Sequence, residues 1–168
     1  MEKKLNILVL GTGTGILPMF LSTHFSKYLE KVTTVEIDAG VLIAGRDHFG
    51  FQTENEPLIE SVCADAFDWV LSTDGMDGKF DIIFIDINYE EGSEKISPPL
   101  KFFGPEFIEK LQRLAQPEGG LIAINTIVEG AAERKKVVTA LKTHAPDCVR
   151  FSSGMQEDLN EVFFLAQG

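Results

Sequence analysis

Apolar and polar positions along the chain follow two periods in turn. Short apolar runs bounded by turn residues read as strands at residues 5–10, 32–36, 58–64, 80–86, 119–126, 147–153 and 159–166. Segments of helical period fall between them, at 15–29, 39–49, 65–73, 103–115 and 130–144. Regular alternation of strand and helix predicts a doubly wound α/β fold, a mostly parallel sheet covered on both faces. Only the short polar segment from Gly154 to Asp158 separates the last two strands, so they are expected to pair as an antiparallel hairpin. No internal repeat, low-complexity tract or linker interrupts the pattern, and residues 1–168 read as a single domain.

The first strand, Leu5 to Leu10, runs directly into Gly11-Thr12-Gly13-Thr14-Gly15. Glycines there let the backbone turn tightly and approach a ligand at the carboxyl end of a strand. The third glycine comes one place too early for a dinucleotide fingerprint, with Ile16 where that pattern needs glycine, which disfavours a dehydrogenase. No lysine follows the turn until Lys27, which disfavours a nucleotide-hydrolysing phosphate loop. G-x-G-x-G followed by a strand that ends in Val35-Glu36-Ile37-Asp38 resembles motif I of S-adenosylmethionine-dependent methyltransferases. Glu36 then stands where a ribose diol is held, with Ile37 against the adenine.

Two further strand ends complete the candidate site. Asp65, in Cys63-Ala64-Asp65-Ala66-Phe67, can accept a hydrogen bond from the adenine amino group while the Ala66 N–H reaches a ring nitrogen; the same Asp65 also suits a helix N-cap. The apolar run Phe80 to Ile85 ends in Asp86, beside the first glycine turn, where a carboxylate can orient an amine, hold its cationic form or accept its proton. Asp81 lies at the opposite end of that strand and reads as a turn or strand-edge residue. The acidic stretch from Ile87 to Glu94 would sit over the substrate mouth and suits a cationic acceptor, or is simply a solvated loop. Pro98-Pro99 with Phe102-Phe103 reads first as a rigid anchor for the next helix, and otherwise as a substrate rim. His24, His48 and His144 have no metal-ligand spacing, and no metal site is expected. The 13 phenylalanines read most simply as core.

Composition narrows the partners. A net charge of −11 lacks the basic stripe that nucleic-acid binding needs, and suits a basic protein partner or simply serves solubility. No apolar run approaches the ~20 residues of a membrane span, so no membrane association is expected. Two cysteines, Cys63 and Cys148, suggest neither a disulfide framework nor a zinc cluster; they read as buried thiols in a cytoplasmic protein. A homo-oligomer is left open.

Taken together, Leu8 to Gly15, Val35 to Asp38, Ala64 to Ala66 and Phe80 to Asp86 resemble the spermidine-synthase-like branch of the class I methyltransferases. His48-Phe49-Gly50-Phe51, Ser97-Pro98-Pro99 and Asn160 to Phe164 extend the likeness to the C-terminal domain of the methyltransferase-like 13 family. The resemblance implies a seven-stranded sheet in the order 3-2-1-4-5-7-6 with the last strand antiparallel. It implies transfer of a methyl group from S-adenosylmethionine to a protein amine, leaving S-adenosylhomocysteine, with translation elongation factor 1-alpha as the acceptor. Carried over by position, Gly11, Thr12, Gly13 and Gly15 would contact the cofactor, Glu36 its ribose, and Ile37, Asp65 and Ala66 its adenine, while Asp86 would meet both cofactor and acceptor amine. With the first strand at residue 5, the helix or small domain that usually covers the methionine end of the cofactor is expected to be missing from this stretch. Aminopropyl transfer on the same fold is the nearest alternative, and a non-catalytic binding module is another. A nucleic-acid amino-methyltransferase is disfavoured, because Asp86-Ile87-Asn88-Tyr89 lacks the paired prolines that such enzymes place after the fourth strand.

Overall fold

Ile7, Leu8, Val9 and Leu10 are all buried, as the middle strand of a sheet covered on both faces must be. The computed structural model describes residues 3–51, 57–88, 96–152 and 160–167. Along the chain run β1 (Leu5–Leu10), α1 (Ile16–Phe25), a 3-10 turn (Ser26–Tyr28), β2 (Leu29–Glu36), α2 (Ala39–Phe49), β3 (Ile59–Cys63), α3 (Ala66–Ser72) and β4 (Ile82–Ile85). Then follow β5 (Ile96–Ser97), a 3-10 turn (Leu100–Phe103), α4 (Pro105–Leu114), β6 (Leu121–Val128), α5 (Ala131–His144), β7 (Val149–Ser152) and β8 (Asn160–Ala166).

The sheet order is β3-β2-β1-β4-β6-β8-β7. Strands β1, β2, β3, β4 and β6 are parallel, whereas β8 runs antiparallel to β6 and to β7. Among the described residues the one addition to the expected sheet is β5, two residues that pair antiparallel with the end of β6, Ile96 opposite Val128. Setting it aside leaves seven strands in the order 3-2-1-4-5-7-6. Strand β2 starts three residues earlier than its apolar run suggests, because Leu29 pairs with Leu5 and the ladder then slips so that Asn6 meets Lys31. Polar Glu30 and Lys31 mask that start, and α1 correspondingly stops at Phe25.

Two apolar clusters flank the sheet. Leu8, Leu10, Ile83, Ile85, Ile122, Ile124 and Phe163 pack with Val70, Phe107, Leu111, Val137 and Leu141 of α3, α4 and α5. Ile7, Val9 and Val32 pack with Leu21 of α1 and with Phe51 on the other side. Residues paired across a ladder face the same way, so the row Val9, Phe84, Ala123, Phe164, Val149 continues this second face across the sheet. Its outer members, with Val162 and Phe151, join neither cluster; Val149 and Phe151 are 64% and 65% exposed.

Two expectations need correction. Cys63 is exposed at the end of β3, and Cys148, just before β7, is half-buried against the margin of the first apolar cluster. Burial is enough to raise the pKa of the Cys148 thiol above its ordinary value, outweighing the nearby Lys142 charge. The phenylalanines are not all core: Phe20, Phe25 and Phe49 lie on helix faces turned to solvent, and Phe151 lies on the edge strand. Asp81, by contrast, stands at the turn into β4 as expected, and it is buried there. It accepts hydrogen bonds from the Asn6 N–H at 2.8 Å and Lys3 Nζ at 2.6 Å, tying β1 to β4 at their amino-terminal ends.

Candidate functional site

The carboxyl ends of β1, β2 and β4 and the start of α3 converge on one cavity of about 490 Å³. The glycine turn makes the convergence possible. Gly11 has φ +88°, and a Cβ there would stand 2.1 Å from the carbonyl oxygen of Asp86, so only glycine lets β1 and β4 end this close together. Its N–H donates to the Val35 carbonyl and the Asp86 N–H to the Leu10 carbonyl, both at 2.9 Å, which carries the two ladders into the turn. Gly13 (φ +54°) has open space where a Cβ would be, and lines the cavity.

Glu36 closes the turn from the neighbouring strand. Its Oε2 accepts the Gly13 N–H at 2.8 Å and its Oε1 the Asp38 N–H at 3.1 Å. Asp38 in turn caps α2 through the Gly40 N–H at 2.7 Å. The Glu36 carboxylate is thus fixed by backbone donors while both oxygens retain lone pairs for a ligand.

Ile37 and Val41 form an apolar wall, with Ile37 65% exposed. At one end stand Asp65 and Ala66. The Asp65 Oδ1 accepts the Phe67 N–H at 2.7 Å, and Ala66, as the first residue of α3, has an N–H with no intrahelical acceptor. At the other end Asp86 Oδ1 accepts a hydrogen bond from Asn125 Nδ2 at 2.8 Å, with Ile87 and Asn88 beside it.

Of the residues singled out in the sequence, Gly11, Gly13, Glu36, Ile37, Asp65, Ala66 and Asp86 line this cavity together. Thr12 and Gly15 do not. Thr12 is buried below the turn, and Gly15, at φ +88°, starts α1 against the ring of Phe51, 2.3 Å from where its Cβ would be. The ring gets there because Gly50 ends α2 at φ +78° and turns Phe51 inward. Tyr89 to Glu94 of the acidic loop lie outside the described residues.

Sequence reasoning missed Lys101 and Asn125, and it ranked Pro99 and Phe102 as anchors first when both also line the cavity. For Asn125 a signal existed, an amide inside the apolar run of β6. Lys101 sits between Leu100 and Phe102, where nothing in the local pattern marks it. A more open depression of about 710 Å³ lies by Gly78, Arg113, Pro117 and Gln167, at the amino-terminal edge of the parallel strands. Open α/β sheets bind ligands at the opposite edge, so the smaller cavity is the candidate site. Among the described residues no group of His, Cys, Asp and Glu could hold a metal ion, and no helix is long and apolar enough to cross a membrane.

No protein-family model matches the chain. In sequence it is 28% identical over 168 residues to the human "eEF1A lysine and N-terminal methyltransferase", a match covering 98% of this chain and 23% of that protein. It is also 28% identical over 125 residues to a polyamine aminopropyltransferase of Shigella boydii, covering 73% of this chain and 40% of that one. Among solved structures, human methyltransferase-like protein 13 in complex with SAH superposes with a TM-score of 0.84 at 24% identity, over 98% of this chain and 72% of that chain. Spermidine synthase from Thermotoga maritima superposes with a TM-score of 0.73 at 19% identity, over 99% and 55% of the two chains. The fold is that of the class I methyltransferases. The likeness drawn from the glycine turn and strand ends therefore holds over nearly the whole chain, which spans about a quarter of the length of the eEF1A methyltransferases it matches.

Proposed function

We propose that the protein is an S-adenosylmethionine-dependent methyltransferase acting on a protein amine, with residues 1–168 forming the cofactor-binding unit. The observation that carries this reading is the backbone-fixed Glu36 carboxylate facing a cavity whose turn at Gly13 has room for a ligand. A volume of about 490 Å³ falls in the range of small-molecule sites. The donors and acceptors suit the cofactor in order. Glu36 would take the ribose hydroxyls, Ile37 and Val41 would flank the adenine, Asp65 and the Ala66 N–H would read its edge, and Gly11 and Gly13 would pass beneath the rest. Thr12 and Gly15 would act indirectly, by shaping the turn.

When bound, the cofactor supplies a methyl group on a sulfonium for in-line displacement by an amine. The chain's part is positioning and the handling of one proton. Asp86, held by Asn125, would attract the ammonium form of the acceptor, orient it and take its proton before transfer. Carboxylates on this rim and a net charge of −11 favour a basic acceptor. The similarity to the eEF1A methyltransferases supports elongation factor 1-alpha, through its N-terminus or a lysine, as the acceptor and the cytoplasm as the setting. The aminopropyltransferase likeness is the second reading, and it covers less of the chain and superposes less closely.

Mass spectrometry of elongation factor 1-alpha incubated with the protein and S-adenosylmethionine tests the proposal. Mass gains in methyl steps on an amine, lost with Asp86→Ala, are expected; cofactor binding with no methylated protein amine would refute the acceptor class.

A further inference from the structure

Asp65 has both carboxylate oxygens engaged within the chain itself. Oδ1 caps α3 through the Phe67 N–H, and Oδ2 lies 3.5 Å from Lys101 Nζ. Lys101 is carried on the 3-10 turn Leu100–Phe103, and its ammonium stands 4.6 Å from the ring centroid of Phe67 and 5.4 Å from that of Phe102. These rings do not drift. Phe67 stacks on Phe107 at 5.2 Å and meets Phe102 edge-on at 5.5 Å, and Phe102 and Phe107 are buried. Their π faces hold a cation beside Asp65, on the lining of the cavity.

We propose that Lys101 is a built-in competitor for the base-reading carboxylate, a specificity-determining residue whose ammonium draws on the charge of Asp65 Oδ2 that the exocyclic amine of an incoming adenine would otherwise have to itself. This rests on reading the cavity as an S-adenosylmethionine site. An adenine amine is a donor arriving on an oxygen that an ammonium already faces, so the two compete for the charge of Asp65 even though the oxygen keeps a free lone pair. The side chains of Lys101 and Asp65 are 47% and 32% exposed, so the pair is screened by solvent and weak enough to open. A purine with oxygen in place of the amine offers an acceptor instead. Its partner is the Lys101 ammonium, and it leaves the ion pair in place. Lys101 therefore weakens adenine binding and narrows the preference for a 6-amino over a 6-oxo base.

The test is calorimetric binding of S-adenosylhomocysteine and S-inosylhomocysteine to the wild type, Lys101→Met, Lys101→Gln and Lys101→Arg. Methionine keeps the apolar stem without the charge, glutamine is a second neutral variant should methionine perturb folding, and arginine keeps the charge. The neutral variants are expected to bind S-adenosylhomocysteine about two- to fivefold more tightly than wild type. They should bind the inosyl compound less tightly, with Lys101→Arg following wild type. The gain for the adenosyl compound should shrink as salt rises from about 0.02 to 0.5 M, because screening already weakens the pair in the wild type. Unchanged or weaker binding of S-adenosylhomocysteine by the neutral variants would overturn the proposal, and so would parallel changes for both ligands, which mean only a reshaped wall. Should the wild type bind neither compound, the cofactor reading itself fails and the role of Lys101 with it.

Discussion

At the scale of single residues, Gly11 and Gly13 of the turn do different work, and substitution separates them. Gly11→Ala places a Cβ 2.1 Å from a main-chain oxygen at φ +88°, combining overpacking with backbone strain. It should cost about 2–6 kcal/mol of stability. Gly13→Ala meets no atom within 4 Å at φ +54°, so only the left-handed strain of about 1–2 kcal/mol applies, while the new methyl enters the cavity. Denaturant unfolding should therefore rank Gly11→Ala well below Gly13→Ala, whereas calorimetry should show ligand binding weakened in a still-folded Gly13→Ala. Equal stability of the two would contradict the close approach of β1 and β4. Glu36→Ala removes an acceptor shared by two backbone N–H groups and, on the proposed reading, the ribose contact. Cofactor affinity should fall by about a hundredfold or more, the loss expected from two hydrogen bonds to a charged group.

Among the elements, the two ends of the parallel strands divide the labour. Asp81 joins β1 to β4 at the amino-terminal end, away from the cavity. Asp81→Ala leaves the Asn6 N–H without its acceptor and should lower stability by about 1–3 kcal/mol. The largely exposed Lys3 ammonium adds little to that figure. Asp81→Asn, which can still accept from Asn6, should lose less, and neither change should alter cofactor affinity. A binding defect as large as the stability defect would argue against this separation. Strands β1, β4, β6 and β8 were readable because each carries apolar residues on both faces, which leaves long apolar runs even where, as in β8, only one face is fully packed. The start of β2 was not, since a slip in the ladder places Glu30 and Lys31 inside the strand. Two-residue β5 carries no period at all. Strand ends announced Glu36, Asp65 and Asp86 because their carboxylates follow apolar runs directly. Lys101 joins the site only through the packing of the Leu100–Phe103 turn against α3, which no local pattern encodes. Gly15 misled for a related reason: its partner, Phe51, comes from beyond α2.

Over the whole molecule, one face of the sheet is packed throughout by α3, α4 and α5, while the other is packed mainly around β1 and β2. Val149 and Phe151, on the less covered side, contribute little to the core, so Val149→Ser with Phe151→Ser should leave thermal unfolding nearly unchanged, the usual result for exposed positions. A large loss of stability would show that the edge strand is buried in solution. The same architecture serves methyl and aminopropyl transfer alike, so overall shape does not decide between them; the ligand does. The most direct test is calorimetric titration of the protein with S-adenosylmethionine, S-adenosylhomocysteine and decarboxylated S-adenosylmethionine, with Glu36→Ala alongside. Binding of the first two in preference to the third, abolished in the variant, is the predicted result. Preference for the decarboxylated compound would contradict the methyltransferase assignment and move the protein to polyamine chemistry, and binding of none would contradict the cofactor site itself.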